Sequence, residues 1–142
     1  MRVSDLTGAQ LDYWVARADG CVAGAAKEGG RALDGTCEPV VFTTSNGTLR
    51  VAKKGSVIDW APSTDWAQAG PIIEREGIIL RPFSDGAWGA AYEFDMDARG
   101  GVFYMSGSQE GATPLIAAMR AYVASKFGDE VDDLQVRKGL DK

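Results

Sequence analysis

The sequence predicts a single-domain α+β fold: a mainly antiparallel β-sheet with helices packed on it. Three observations predict it. Apolar stripes of helical period open and close the chain, each with a start signal and a glycine stop. Between them, short apolar stretches are joined by tight-turn signals, which favours hairpins over crossover units. The 142 residues, 45% hydrophobic and 25% charged, are enough for one core without disulfide or metal staples.

The first helix runs over Thr7 to Asp19. Leu11, Trp14, Val15 and Ala18 recur at i, i+3, i+4 and i+7, one apolar stripe. Thr7 and Gln10 fit a capping box, and Gly20 is a suitable stop. Residues 20–37, rich in glycine and alanine, predict a loop. Val40 to Thr44 and Thr48 to Ala52 predict a hairpin, with Asn46-Gly47 as a type I′ turn in which both central residues have positive φ. In "WAPSTDWAQAGPIIERE", Trp60 to Glu76, Ser63 or Thr64 predicts a cap on a helix starting near Asp65. Trp66, Ala69, Gly70 and Ile73 fall on one face of it. Pro71 predicts either a short turn with a new start or a kinked helix, and Gly77 ends it. Ile78 to Arg81 and Trp88 to Asp95 predict strands, and Val102 to Met105 a hairpin partner across "DARGG". Thr113-Pro114 marks the last helix, with Leu115, Ile116, Met119, Val123 and Phe127 as its stripe and Gly128 as its stop. Residues 1–128 are thus expected to form the domain, and 129–142 a charged, loosely held tail.

Composition narrows the chemistry. There is no histidine, which removes Ser-His-Asp and Cys-His nucleophile schemes and imidazole metal sites. Two cysteines, Cys21 and Cys37, are too few for a four-thiolate site. A net charge of -5 opposes general nucleic-acid binding, which needs a basic face. No segment reads as a signal peptide or membrane span, so the expectation is a reduced cytoplasmic protein, free of the membrane. No P-loop or GxGxxG motif occurs, and no carboxylate pair among Asp59, Asp65, Glu74 and Glu76 has a distinctive catalytic spacing. No catalytic residue, metal or cofactor is expected, with a hydrolase using metal and carboxylates left open as a further alternative.

The candidate ligand-binding residues cluster at the start of the second helix. Ser63, Thr64 and Asp65 would sit where free N–H groups meet an anion, although the bland reading is a cap. Trp60, Trp66 and Trp88 could wall a nucleobase by stacking, against the simpler reading of core packing. Arg75 and Arg120 could clamp a phosphate or carboxylate, or only pair locally on a solvated face. Thr113 is added as a second helix-end hydroxyl, most simply a cap.

Two long motifs carry a family resemblance. "STDWAQAGPIIERE" with "TPLIAAMRAYVASKFGDEV" resembles the phage NinX family, and "VSDLTGAQLDYWVARADG" is similar to that family's opening helix. The resemblance spans most of the chain outside 20–37 and the last dozen residues. Trp60 and Ala61 depart from the family's aromatic-serine pair before "PST", and Ala69 from its glycine pair before the proline. The resemblance implies a phage accessory protein without a defined activity, and its motif arrangement is similar to that of phage α-β-α sandwich domains. In that setting the residue types at 60–76 suggest a non-enzymatic binder of a small anionic or nucleotide-like ligand, sequestering a host defence signal. The alternative is an interaction module that occludes a host or phage protein. Self-association is left open.

Overall fold

The computed structural model describes residues 1–24, 39–53, 56–95, 104–106 and 108–132. One helix organises the rest. Pro114–Phe127, α3, packs against a 3₁₀ turn at Val3–Asp5, against helices α1 (Gly8–Ala18) and α2 (Trp66–Glu76), and against strands β5 (Ile79–Pro82), β6 (Trp88–Ala91) and β9 (Gln109–Gly111). Enclosure on so many sides explains why Leu115, Ala117, Ala118, Met119, Ala121, Tyr122 and Val123 are all buried rather than one stripe. Of the predicted stripe, Ile116 is only partly buried and Phe127 is exposed. The start is as predicted: Thr113 Oγ1 accepts from Ile116 N–H at 3.2 Å, and Pro114 follows. Thr113→Ala should cost about 1 kcal/mol, read as a lower denaturant midpoint at unchanged slope.

Two sheets and a separate hairpin make up the β structure. The larger sheet runs β1 (Val22–Ala23), β2 (Val40–Thr43), β3 (Leu49–Lys53), β4 (Ser56–Asp59). Among the described residues only the β1–β2 pair is parallel. Val41, Leu49 and Val51 turn one face into the main core, where α1 packs. The second sheet, β5-β6-β9, is antiparallel and carries α3. Pro82 sits on its edge strand, where a missing N–H is tolerated.

The fold class is as predicted, and several elements differ. The Thr7 side chain makes no cap bond, so the capping box does not form. The expected loop contributes β1 at Val22–Ala23, while 25–38, with Cys37, lies outside the described residues. Cys21 is a buried free thiol. The Asn46-Gly47 hairpin exists, but Gly47 N–H donates to Thr44 C=O at 2.9 Å. The turn is therefore centred on Ser45 and Asn46, with Gly47 left-handed at φ 82° after it, a three-residue loop rather than type I′. β4 was not predicted. The single strand expected over 88–95 breaks at Tyr92 into β6 and β7 (Glu93–Asp95). β7 pairs with β8 (Tyr104–Ser106), and Val102 lies outside the described residues.

α2 runs unbroken through Pro71. Gly70 suits this, because it has no Cβ to meet the proline ring from a helical backbone. Of the predicted face Ala69 is buried and Ile73 partly buried, Ile72 is buried beside them, and Trp66 departs from the prediction at 55% exposed. The C-terminal segment is also held at its start. Val3 N–H donates to Asp129 C=O at 2.8 Å, and Met1 and Val131 exchange bonds of 2.9 Å each. Val131 is buried, and residues 133–142 lie outside the described set. Among the described residues no helix is long and apolar enough to cross a membrane.

Candidate functional site

The structure distributes the candidate residues over three places. The first is a junction between α1 and the segment leading into α2. Trp60 is partly buried, and its Nε1–H donates to Asp12 C=O at 2.9 Å. Ser63 is buried, and its N–H donates to Asp12 Oδ1 at 2.8 Å. The Ser63 hydroxyl neighbours the same carboxylate, yet forms no hydrogen bond of acceptable geometry. Asp12, itself 5% exposed, lies inside the apolar run of α1. Burial lifts its carboxyl from 3.8 to about 6, and the bond from Ser63 N–H only partly offsets that. Neither Ser63 nor Thr64 caps α2. Asp65 does, accepting from Ala67 N–H at 2.9 Å, while Thr64 Oγ1 donates to Ala61 C=O at 3.3 Å. Gln68 closes the loop, accepting from Ala61 N–H and donating to Asp59 C=O. Trp60 and Ser63 therefore face the protein, and of the indoles only Trp66 stands out to solvent.

The second place is a polar clamp where the ends of α1 and α2 meet α3. Arg75 Nη2 donates to Asp19 Oδ1 at 2.9 Å and to Tyr122 OH at 3.0 Å, and Nε reaches Glu76 at 3.3 Å. Tyr122 donates to Asp19 as well, at 3.1 Å. Tyr92 joins Glu76 to Ser125. Burial, then the Asp19 charge, pushes the Tyr122 phenol well above its usual range, so it stays a donor. Arg75 is thus engaged with three protein groups at once. It braces helices, with the guanidinium also over the Tyr122 ring at 5.7 Å.

The third place is an open cleft of about 500 Å³ lined by Ser4, Ala87, Ser108, Gln109, Glu110, Gly111 and Arg120. This volume falls in the range of small-molecule sites. Arg120 is held from two sides: Nε donates to Leu6 C=O at 2.9 Å and Nη1 to Glu110 C=O at 2.7 Å. A guanidinium has five N–H donors, so three remain without a partner among the described residues. Its partial burial lowers its pKa, against the pull of Asp5. Gly111 lets β9 approach α3, since a Cβ there would lie 2.7 Å from Ala117 N. Trp88 pairs with Gly111 across the sheet and packs on the core, and Thr113 caps α3; neither lines the cleft.

Of the nine candidate residues, only Arg120 lies in this cleft, and the structure does not unite it with Trp60, Ser63 or Arg75. Sequence reasoning missed Asp12 and the β9 residues. Asp12 had a signal, one acid inside the run "LDYWV". Ser108, Gln109 and Glu110 had none, since three short polar residues look like any turn. Among the described residues no three carboxylates or thiols are grouped to hold a metal.

Residues 2–126 match the family model described as Bacteriophage P22, NinX. No curated protein matches the chain.

Proposed function

Because the chain belongs to the phage P22 NinX family, we propose that this phage accessory protein binds a small anionic, nucleotide-type ligand in the Arg120 cleft and sequesters it without turnover. The observation that carries the reading is Arg120 itself. Two backbone carbonyls fix its guanidinium, and three donors have no partner among the described residues, which suits an incoming oxyanion. A pre-positioned fork loses little freedom on binding and matches phosphate or carboxylate geometry. Sequestration of a host defence signal is the use that the phage setting suggests for such a binder.

A thermal-shift panel of mono-, di- and cyclic nucleotides tests it. A ligand at about 100 times its dissociation constant adds about 2.7 kcal/mol to stability, a shift of several degrees for a chain of this size. Arg120→Lys should keep the fold and lose most of that shift, because an ammonium lacks the planar fork. A flat panel would remove the binder reading.

One observation favours the second reading, a protein-interaction module. Trp66 is 55% exposed and Ile58 45% exposed, and Ile58 lies on β4, an edge strand of the larger sheet. Exposed indoles and free strand edges are common docking features. Under that reading Trp66→Ala would abolish a partner complex, with no effect on any nucleotide shift.

A further inference from the structure

Resting on the reading that the Arg120 cleft takes an anion, we infer that what it recognises is a sugar monophosphate, and that a base attached to the sugar goes unread. The lining decides this. Arg120 is the cation and offers its three remaining donors to a phosphate. Around it stand Ser4, Ser108 and Gln109, each able to donate and accept, and Glu110, which only accepts when ionised. Such a set complements hydroxyl groups, which donate and accept at one atom.

Two alternatives fit less well. Inorganic phosphate or a polyphosphate would meet the exposed Glu110 carboxylate, with Asp5 acting on Arg120 from nearby, and would gain nothing from the hydroxyl-matching groups. A phosphate ion is also far smaller than a cleft of about 500 Å³. A nucleobase, in turn, is ordinarily held by stacking on an aromatic face. None of the described lining residues is aromatic, and Ala87 and Gly111 are the only ones without a polar side chain. None of the three candidate tryptophans lines the cleft. Trp60 is bonded to Asp12, Trp88 packs on the core, and Trp66 opens α2. The sugar and its phosphate therefore account for the cleft's chemistry.

Calorimetric titration of the full chain tests this with ribose 5-phosphate, AMP, adenosine and inorganic phosphate. The expected result is that ribose 5-phosphate and AMP bind within about threefold of each other, and adenosine and phosphate at least about tenfold more weakly. Glu110→Gln lies on an exposed side chain and should leave the fold intact. It should weaken ribose 5-phosphate by about fivefold while strengthening inorganic phosphate, a split that a purely structural role would not produce. If AMP binds more than about tenfold tighter than ribose 5-phosphate, the base is read; this inference then fails, and the cleft remains an anion site. If adenosine matches AMP, the phosphate is not read and the inference fails as well. If none of the four binds, the inference and the proposed function fail together.

Discussion

Gly111→Ala is expected to destabilise the protein by about 2–3 kcal/mol, and Gly111→Val by more, the usual cost of overpacking a fitted interface. An added Cβ would lie 2.7 Å from Ala117 N and 2.8 Å from Ile116 Cγ2. The first neighbour is backbone in the opening turn of α3 and cannot swing aside. Relief requires β9 to lift from the helix, which would also pull Glu110 C=O away from Arg120. The variant should therefore lose ligand binding at temperatures where it remains folded. Chemical denaturation measures the first effect and calorimetry the second. Wild-type stability in Gly111→Ala would show that the strand is not pinned there.

Asp12→Asn is expected to raise stability at pH 7 by about 2 kcal/mol, a midpoint gain of roughly 6 °C. The folded state lifts the carboxyl from 3.8 to about 6, so folding favours its protonated form. The sign follows. This contribution is greatest below the unfolded value, falls as pH rises from about 4 to 6, and is lost above about 6, where a buried charge must be held. Between pH 7 and pH 5 the wild type should recover about 1 kcal/mol from this group. Asparagine keeps an oxygen for Ser63 N–H, carries no charge, and brings an N–H₂ beside the unpartnered Ser63 hydroxyl. The stability gap between variant and wild type should then close as pH falls towards 4. The gap is the quantity to measure, because other carboxylates titrate equally in both proteins. A gap independent of pH would contradict the charge argument. Asp12→Ala should go the other way, since it orphans the Ser63 N–H.

Helices were the most legible part of the chain. Thr113-Pro114, the stripe from Leu11 to Ala18 and the left-handed glycines Gly77 and Gly128 act locally, through caps and backbone angles that a sequence displays directly. Strands β4 and β9 were not legible, for different reasons. Ser56–Asp59 is exposed along its whole length at a sheet edge, so no alternation marks it. Gln109–Gly111 has poor strand formers and is held by α3 and β6, which lie far off or next door in sequence but act only after folding. The cluster of reactive residue types at 60–66 reads from the sequence as facing outward, and the fold disperses it. Asp12, distant in sequence, turns Trp60 and Ser63 inward. Arg120 had a subtler mark: a lone cation in "AAMRAYV" on a helix otherwise almost wholly apolar. On such a helix a charge survives only where backbone carbonyls or a cleft receive it, and here both do.

The central position of α3 has a consequence for how the protein is made. Among the described residues, the helix that α1, α2 and the second sheet all pack against follows every other element in the sequence, and Met1 closes on Val131 beyond it. A growing chain therefore lacks the α3 cover over Leu11, Val15 and Ile72 until Pro114–Phe127 has emerged. Folding from the ribosome is then expected to complete in one step once that helix is available. A nascent chain stalled before Pro114 should be digested readily by protease, whereas one extended well past Val131 should gain resistance in a single step.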